Sequence, residues 1–129
     1  MKMNPMDLGV CGAVQMYCIG SINFGTAGIE TGVEVGKIPK NTIITKVVVC
    51  VNNAFNAGTT NVLTVGVKED MDSLMASADV TAGTKGAYQK DVWEDCGGET
   101  GIYAQFTQSG NKATAGEADI YVEVVRRPE

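Results

Sequence analysis

From Thr42 to Val51 the chain reads TIITKVVVCV. As an extended segment it carries Ile43, Thr45, Val47, Val49 and Val51 on one face and Ile44, Lys46, Val48 and Cys50 on the other. Most of these side chains are β-branched, and their stiff χ1 angles suit a pleated strand better than a helix. A strand apolar on both faces over its middle lies inside a sandwich or beneath a partner, away from water. Pro39 cannot donate to a ladder and belongs before the strand. Asn52, Asn53, Asn56 and Gly58 supply turn chemistry, because Asn and Gly tolerate left-handed backbone angles. Val62 to Val67 then alternates, with Leu63, Val65 and Val67 inward and Thr64 and Gly66 outward. Residues 38–67 therefore read as a β-hairpin around which the rest is organised.

The same period of two recurs elsewhere. Tyr17–Gly25 and Ile29–Val35 alternate weakly, the second with Ile29, Thr31, Val33 and Val35 on one face. Gly101–Thr107 presents Ile102, Ala104 and Phe106 inward, and Glu117–Val125 presents Ile120, Val122 and Val124. One segment departs from the pattern. Within Lys68–Val80, Met71, Leu74, Met75 and Ala78 recur at helical spacing, with Asp70 placed to cap the start, so one or two helical turns are predicted there. Ala82–Gln89 reads as turn-rich, and Cys96-Gly97-Gly98-Glu99 as a turn. Seven or eight short strands at this spacing predict an all-β fold: an antiparallel β-sandwich, jelly-roll-like in the first instance and immunoglobulin-like in the second. Residues 1–18 read as an extended N-terminal arm or a first strand, and residues 19–129 as the sandwich domain. The arm reading rests on Met3, Met6, Leu8, Val10, Val14 and Met16, which would form an exposed apolar patch if left uncovered.

Composition narrows the possible functions. A chain of 129 residues fits one domain, and its sixteen glycines fit strands and tight turns better than helices. The formal net charge of −5, with the ten Lys and Arg scattered, provides no basic stripe for a phosphate backbone, so nucleic acid is not an expected partner. No run approaches the length of a transmembrane helix, and no membrane association is expected. Met1–Ile19 lacks the basic and apolar regions of a signal peptide, so the four cysteines are expected as reduced thiols, with Cys50 a small buried hydrophobe in mid-strand.

The absence of His removes Ser-His-Asp triads, Cys-His pairs and His-containing zinc sites together. Glu69, Asp70 and Asp72 form the densest acidic cluster, but they lack the calcium-loop spacing and read as solvated side chains. Glu94, Asp95 and Glu99 flank the single Trp93 in a way that suggests a sugar platform, although a chain with so few aromatics rarely builds a cleft with opposed carboxylates. No catalytic residue, cofactor or metal is expected.

Three stretches taken together resemble small structural proteins of tailed bacteriophages: IPKNTIITKVVVCVNNAFNAGTTNVLTVGV at residues 38–67, the Gly-Ala-Tyr of Gly86–Tyr88, and TAGEADIYVEVV at Thr114–Val125. In those proteins an Ile-Pro-x-x-x-Ile-Ile-Thr strand, an Ala-Phe-Asn-Ala-Gly-Thr-Thr turn and a terminal Ala-Gly-Glu-Ala strand surround an all-β core. The resemblance covers residues 36–125; Cys11 and Cys18 have no counterpart in it. It implies a non-enzymatic virion part assembled in a host cytoplasm, and at this size a head decoration (cement) protein that clamps neighbouring major capsid subunits as a trimer. On that reading Met3, Met6, Leu8, Val10, Val14 and Met16 form an arm toward a neighbour, and Phe55 and Trp93 anchor the interface. A head–tail connector or tail component, and a carbohydrate-binding module for host attachment, are the alternatives.

Overall fold

β-Branched and aromatic side chains at alternate positions generate eight strands among residues 14–127, which a computed structural model of the chain describes. They are β1 (Val14–Asn23), β2 (Val33–Ile38), β3 (Thr42–Asn53), β4 (Thr60–Val67), β5 (Asp70–Met75), β6 (Gly86–Cys96), β7 (Thr100–Ser109) and β8 (Glu117–Arg126). Two four-stranded antiparallel sheets result, ordered β1-β8-β3-β6 and β2-β7-β4-β5, and they pack face to face as a sandwich. The pairing is nested: first strand with last, second with seventh, third with sixth, fourth with fifth. This is the connectivity of one long hairpin folded back on itself, and it bears out the expected antiparallel β-sandwich.

The expected hairpin at residues 38–67 is corrected by this topology. Both strands exist, but β3 and β4 belong to different sheets and do not pair. Their connection crosses the end of the sandwich because Phe55 drops into the interior. Its ring is 2% exposed, and the ring centroids of Phe55 and Phe106 are 4.5 Å apart. The Phe55 amide donates to the Ala82 carbonyl, and the Asn56 carboxamide oxygen accepts from the amides of Thr114 and Ala115. The turn residues thus make a crossover, not a reversal.

Three further expectations change. Lys68–Val80 is not helical over Met71–Ala78: β5 pairs with β4, burying Leu74 and Met75, and only Ser77–Asp79 forms a single 3-10 turn. The carboxylate that caps there is Asp79, accepting from the Ala76 amide, and not Asp70. Ile29–Val35 is turn up to Thr31 with β2 beginning at Val33, and the turn-rich reading of Ala82–Gln89 holds only as far as the start of β6 at Gly86. In β3 a bulge between Ile44 and Lys46 shifts the alternation, so Ile44 joins Val47, Val49 and Val51 inside while Ile43 turns outward.

The interior is filled from the positions expected on β7 and β8. Ile102, Ala104 and Phe106 meet Ile120, Val122 and Val124 in one cluster with Leu63, Val65 and the inner side chains of β3. Each fully buried Val, Ile, Leu or Phe contributes about 1.5–3 kcal/mol relative to exposure. One flank of the sandwich closes where β1 and β2 touch. A Cβ on Gly20 would lie 2.7 Å from the Val35 carbonyl oxygen, and one on Gly36 would lie 2.9 Å from that of Ile19. Both glycines sit at β-bulges, where the ladders with β8 and β7 are interrupted. Only a residue without a side chain permits backbones this close.

Gly20→Ala is expected to destabilise the domain by about 1–3 kcal/mol, because the obstructing atoms are backbone and cannot rotate away. Gly97→Ala, where a Cβ would meet nothing within 4 Å, should stay within about 0.5 kcal/mol of the parent. Urea midpoints for the two variants check this.

Candidate interaction surface

Alternation makes the outer face of the β1-β8-β3-β6 sheet legible from its inner one. Ala118, Ile120, Val122 and Val124 are buried, so Asp119, Tyr121, Glu123 and Val125 of β8 point outward. Register then assigns their neighbours. Val14, Val125, Ile43 and Asp95 form one cross-strand row; Met16, Glu123, Lys46 and Asp91 form the next; Cys18, Tyr121, Val48 and Gln89 the third; Ser21, Asp119, Cys50 and Ala87 the fourth. Trp93 flanks the first two rows at the β6 bulge and is 72% exposed. Val14 is 58% and Met16 48% exposed, whereas Ile43 is only 7% exposed although it stands outside the interior cluster. The face is therefore a band of Val, Met, Cys, Tyr and Trp side chains crossed by one row of alternating charge, with single carboxylates in two other rows, Asp95 in the first and Asp119 in the fourth.

The opposite sheet presents a different surface. In-register neighbours facing away from the interior there include the polar Glu34, Tyr103, Gln105 and Thr107, with Val62 opposite Thr107 and Thr64, only 8% exposed, opposite Gln105. Gln105 extends its carboxamide to donate to the Glu30 carbonyl at 3.0 Å. The Tyr103 phenol is pushed above its usual pKa by desolvation and by the neighbouring Glu34 carboxylate.

Hydrogen bonds hold the apolar face flat. The Thr45 hydroxyl, freed by the β3 bulge, donates to the Glu123 carboxylate at 2.9 Å. Asp119 accepts from the Ser21 hydroxyl at 2.5 Å and from the Asn52 carboxamide at 2.9 Å, joining β1, β8 and β3 at one point. Those two donors hold its carboxyl below the usual aspartate range. Arg127 donates to Asp95 at 3.1 Å and ties the end of β8 to β6. The Tyr121 phenol is pushed above its usual pKa, foremost by the neighbouring Cys18 sulfur and then by desolvation.

The sequence-predicted site residues fall into three groups. Val14, Met16 and Trp93 lie on this one face. Phe55 is a core side chain, so its ring is used inside the domain. Met3, Met6, Leu8 and Val10 lie outside the described residues. Cys50, expected in the core, is half-buried on the outer face; the buried thiol is Cys96, whose pKa burial raises, leaving it a packing group. Cys18, Cys50 and Cys96 are free thiols. Val48 and Val125 were not singled out for this face, and neither was Ile43, buried though it stands outside the interior cluster, because their shared face is defined only by register between strands far apart in sequence. Glu69, Asp70 and Asp72 sit at and beside the β4–β5 turn, and among the described residues no group of three metal-ligating side chains converges.

Neither a protein-family model nor a curated protein sequence matches this chain at a significant level. Solved structures do. A chain of the cyanophage Pam1 capsid asymmetric unit superposes with a TM-score of 0.67 at 22% identity, over 92% of this chain and 87% of that one. The fold is shared with a phage capsid chain. The acidic stable capsid of Helicobacter pylori bacteriophage KHP30 gives 0.54 at 14% identity, covering 90% and 95% of the two chains. The capsid of Ralstonia phage GP4 gives 0.56 at 11% identity, covering 92% and 88%. At these identities the similarity concerns the sandwich itself.

Because the Asp119 pKa is lowered on folding, its contribution to stability is present above the ordinary aspartate pKa, about 3.9, and is lost as pH falls through the folded value. Asp119→Asn is expected to be less stable than the parent at neutral pH, with the difference shrinking below about pH 4. Thermal melts from pH 7 to pH 3 measure the convergence.

Proposed function

We propose that this protein is a non-enzymatic structural component of a phage virion, and specifically a decoration (cement) protein on the capsid surface. In that role the outer face of the β1-β8-β3-β6 sheet rests on major capsid subunits and bridges a seam between them, with three copies grouped as a homotrimer. The observation that carries the reading is the polarity of the sandwich: one outer face polar, the other apolar and bearing Trp93 at 72% exposure. Interface cores favour aromatic residues and Met, and this face carries Trp93, Tyr121 and Met16, while its carboxylates Asp95, Asp119 and Glu123 are engaged by Arg127, by Ser21 and Asn52, and by Thr45. The fold likeness to chains of three phage capsids supports the setting. A protein that binds an assembled lattice but not separated subunits stabilises the lattice by mass action, without any chemical step.

Val14, Met16 and Trp93 are the contact residues in this reading, and the row of Lys46 between Glu123 and Asp91 sets register on the partner. The exposure of Trp93 also suits a second reading, in which its ring stacks on a sugar during host attachment. A connector or tail component would use the same sandwich in a ring.

The test adds purified protein to phage particles stripped of it. Wild-type protein is expected to rebind and raise the temperature at which particles release their contents. Trp93→Ala should weaken binding by about 2 kcal/mol, roughly thirtyfold, without changing the domain's own melting temperature. Rebinding of Trp93→Ala at wild-type affinity would dismiss this face as the contact. A Trp fluorescence shift with glycans and none with particles would favour the sugar-binding reading.

A further inference from the structure

On one flank of the sandwich β1 outruns β2. Gly36 abuts Ile19, and β2 ends soon afterwards at Ile38, whereas β1 reaches back to Val14. Beneath this overhang a groove of about 300 Å³ opens between Tyr17 and the Ile38-Pro39 corner, with Val122 and Val124 of β8 behind it. Gln15 and Tyr17 stand opposite Val124 and Val122 and share their inward parity, yet both are exposed, Tyr17 by 49%. Their polar ends meet each other, the Tyr17 phenol donating to the Gln15 carboxamide oxygen. Side chains of core parity are thus left without a facing strand among the described residues.

Two cations bracket the groove. Lys37 and Arg126 are the charged residues that line it, in a chain whose formal net charge is −5. Arg126 follows Val125, the partner of Val14, and so stands beyond the start of β1; Lys37 follows Gly36, which meets Ile19. From Val14 to Ile19 an extended chain covers roughly 17 Å, at about 3.4 Å per residue. Among the described residues Arg126 forms no ion pair, and Lys37 forms only an exposed one with Glu99 at 3.8 Å. Such an exposed pair is readily exchanged for another.

Backbone completes the site. β1 has β8 on one side and no further strand on the other among the described residues, so its outer N–H and C=O groups are open to strand addition. A hydrocarbon chain ending in a carboxylate would fill the groove and answer one cation, leaving the strand edge and the second cation without partners. An extended acidic peptide answers all three.

We propose that this groove docks an extended peptide segment of a partner protein, about seven residues long, that adds to the free edge of β1. The side chains it turns toward the groove, at every second position, are acidic at both ends and apolar between. The apolar ones lie against Tyr17, Ile38 and Pro39, and the carboxylates meet Lys37 and Arg126. The groove lies between the sheets, apart from the outer face with Val14, Met16 and Trp93, so the assignment is independent of the proposed capsid contact.

The probe is the peptide Glu-Thr-Val-Thr-Val-Thr-Glu, acetylated and amidated, titrated at low salt into the isotope-labelled full-length protein. The amide resonances of Gln15, Tyr17, Ile38 and Val124 are expected to shift saturably, while those of β4 and β5 stay in place. The analogue with Lys at both ends should bind more weakly by about tenfold or more, and Lys37→Ala combined with Arg126→Ala should weaken the acidic peptide by about tenfold. Both changes are at exposed side chains, so the melting temperature of the double variant should match the parent. Trp93→Ala should bind the peptide as the parent does, which separates this site from the capsid-facing one. Equal binding of the two peptides, or an undiminished affinity in the double variant, would overturn the proposal. Dodecanoate shifting the same resonances where the acidic peptide does not would give the groove to a lipid acid and overturn it too. So would the absence of any shift in the full chain, whether its own residues fill the groove or nothing does.

Discussion

The period of two along a strand, anchored by one buried row, is the constraint from which the remaining features of this protein follow. Val47, Val49, Ile120 and Val122 face Leu63, Val65, Ala104 and Phe106 across one apolar interior. Moving any of these strands by one residue would exchange its core side chains for its surface ones, so the packing of the interior fixes register throughout. Fixing what lies inside also fixes what lies outside. The apolar band on one sheet and the polar one on the other are both read from the same alternation, and the difference between them gives the molecule a front and a back.

Much of this was legible in the sequence because β7 and β8 obey the period without interruption: Ile102, Ala104, Phe106, Ile120, Val122 and Val124 all lie where alternation puts them. Reading failed where local chemistry permits two outcomes. Asn52, Asn53, Asn56 and Gly58 bend a chain equally well into a hairpin or into a crossover, and only the burial of Phe55 decides between them. Met71, Leu74, Met75 and Ala78 have helical spacing, yet a short strand that buries Leu74 and Met75 at its end satisfies the same pattern. The bulge at Thr45 was not visible either, since a strand apolar on both faces gives no sign of a change of phase. The proposed contact face was partly legible, through Val14, Met16 and Trp93. The rest of it required knowing that Val14 and Ile43 flank Val125.

Polar residues near the apolar face tie its strands together. Asp119 is engaged by Ser21 and Asn52, Glu123 by Thr45, and Asp95 by Arg127. A carboxylate occupied in this way is a poor general base but a good cross-strand tie. The close approach at Gly20 and Gly36 plays a similar part on the flank, where it brings β1 against β2 and limits how far the sheets can slide. These ties join all four strands of the sheet and hold its outer side chains in fixed register.

The nested pairing also ranks the loops that the chain must close. β4 and β5 are joined by a turn at Lys68 and Glu69, and theirs is the pairing that closes the shortest loop. The pairs β3 with β6, β2 with β7 and β1 with β8 each close a longer loop than the one before, so closure entropy rises from the middle of the chain outward. Topologies dominated by such non-local pairings fold, as a class, on the millisecond-to-second scale. β1, whose pairing closes the longest loop, is also the strand that covers one edge of β8, so the costliest closure is the one that hides an open edge.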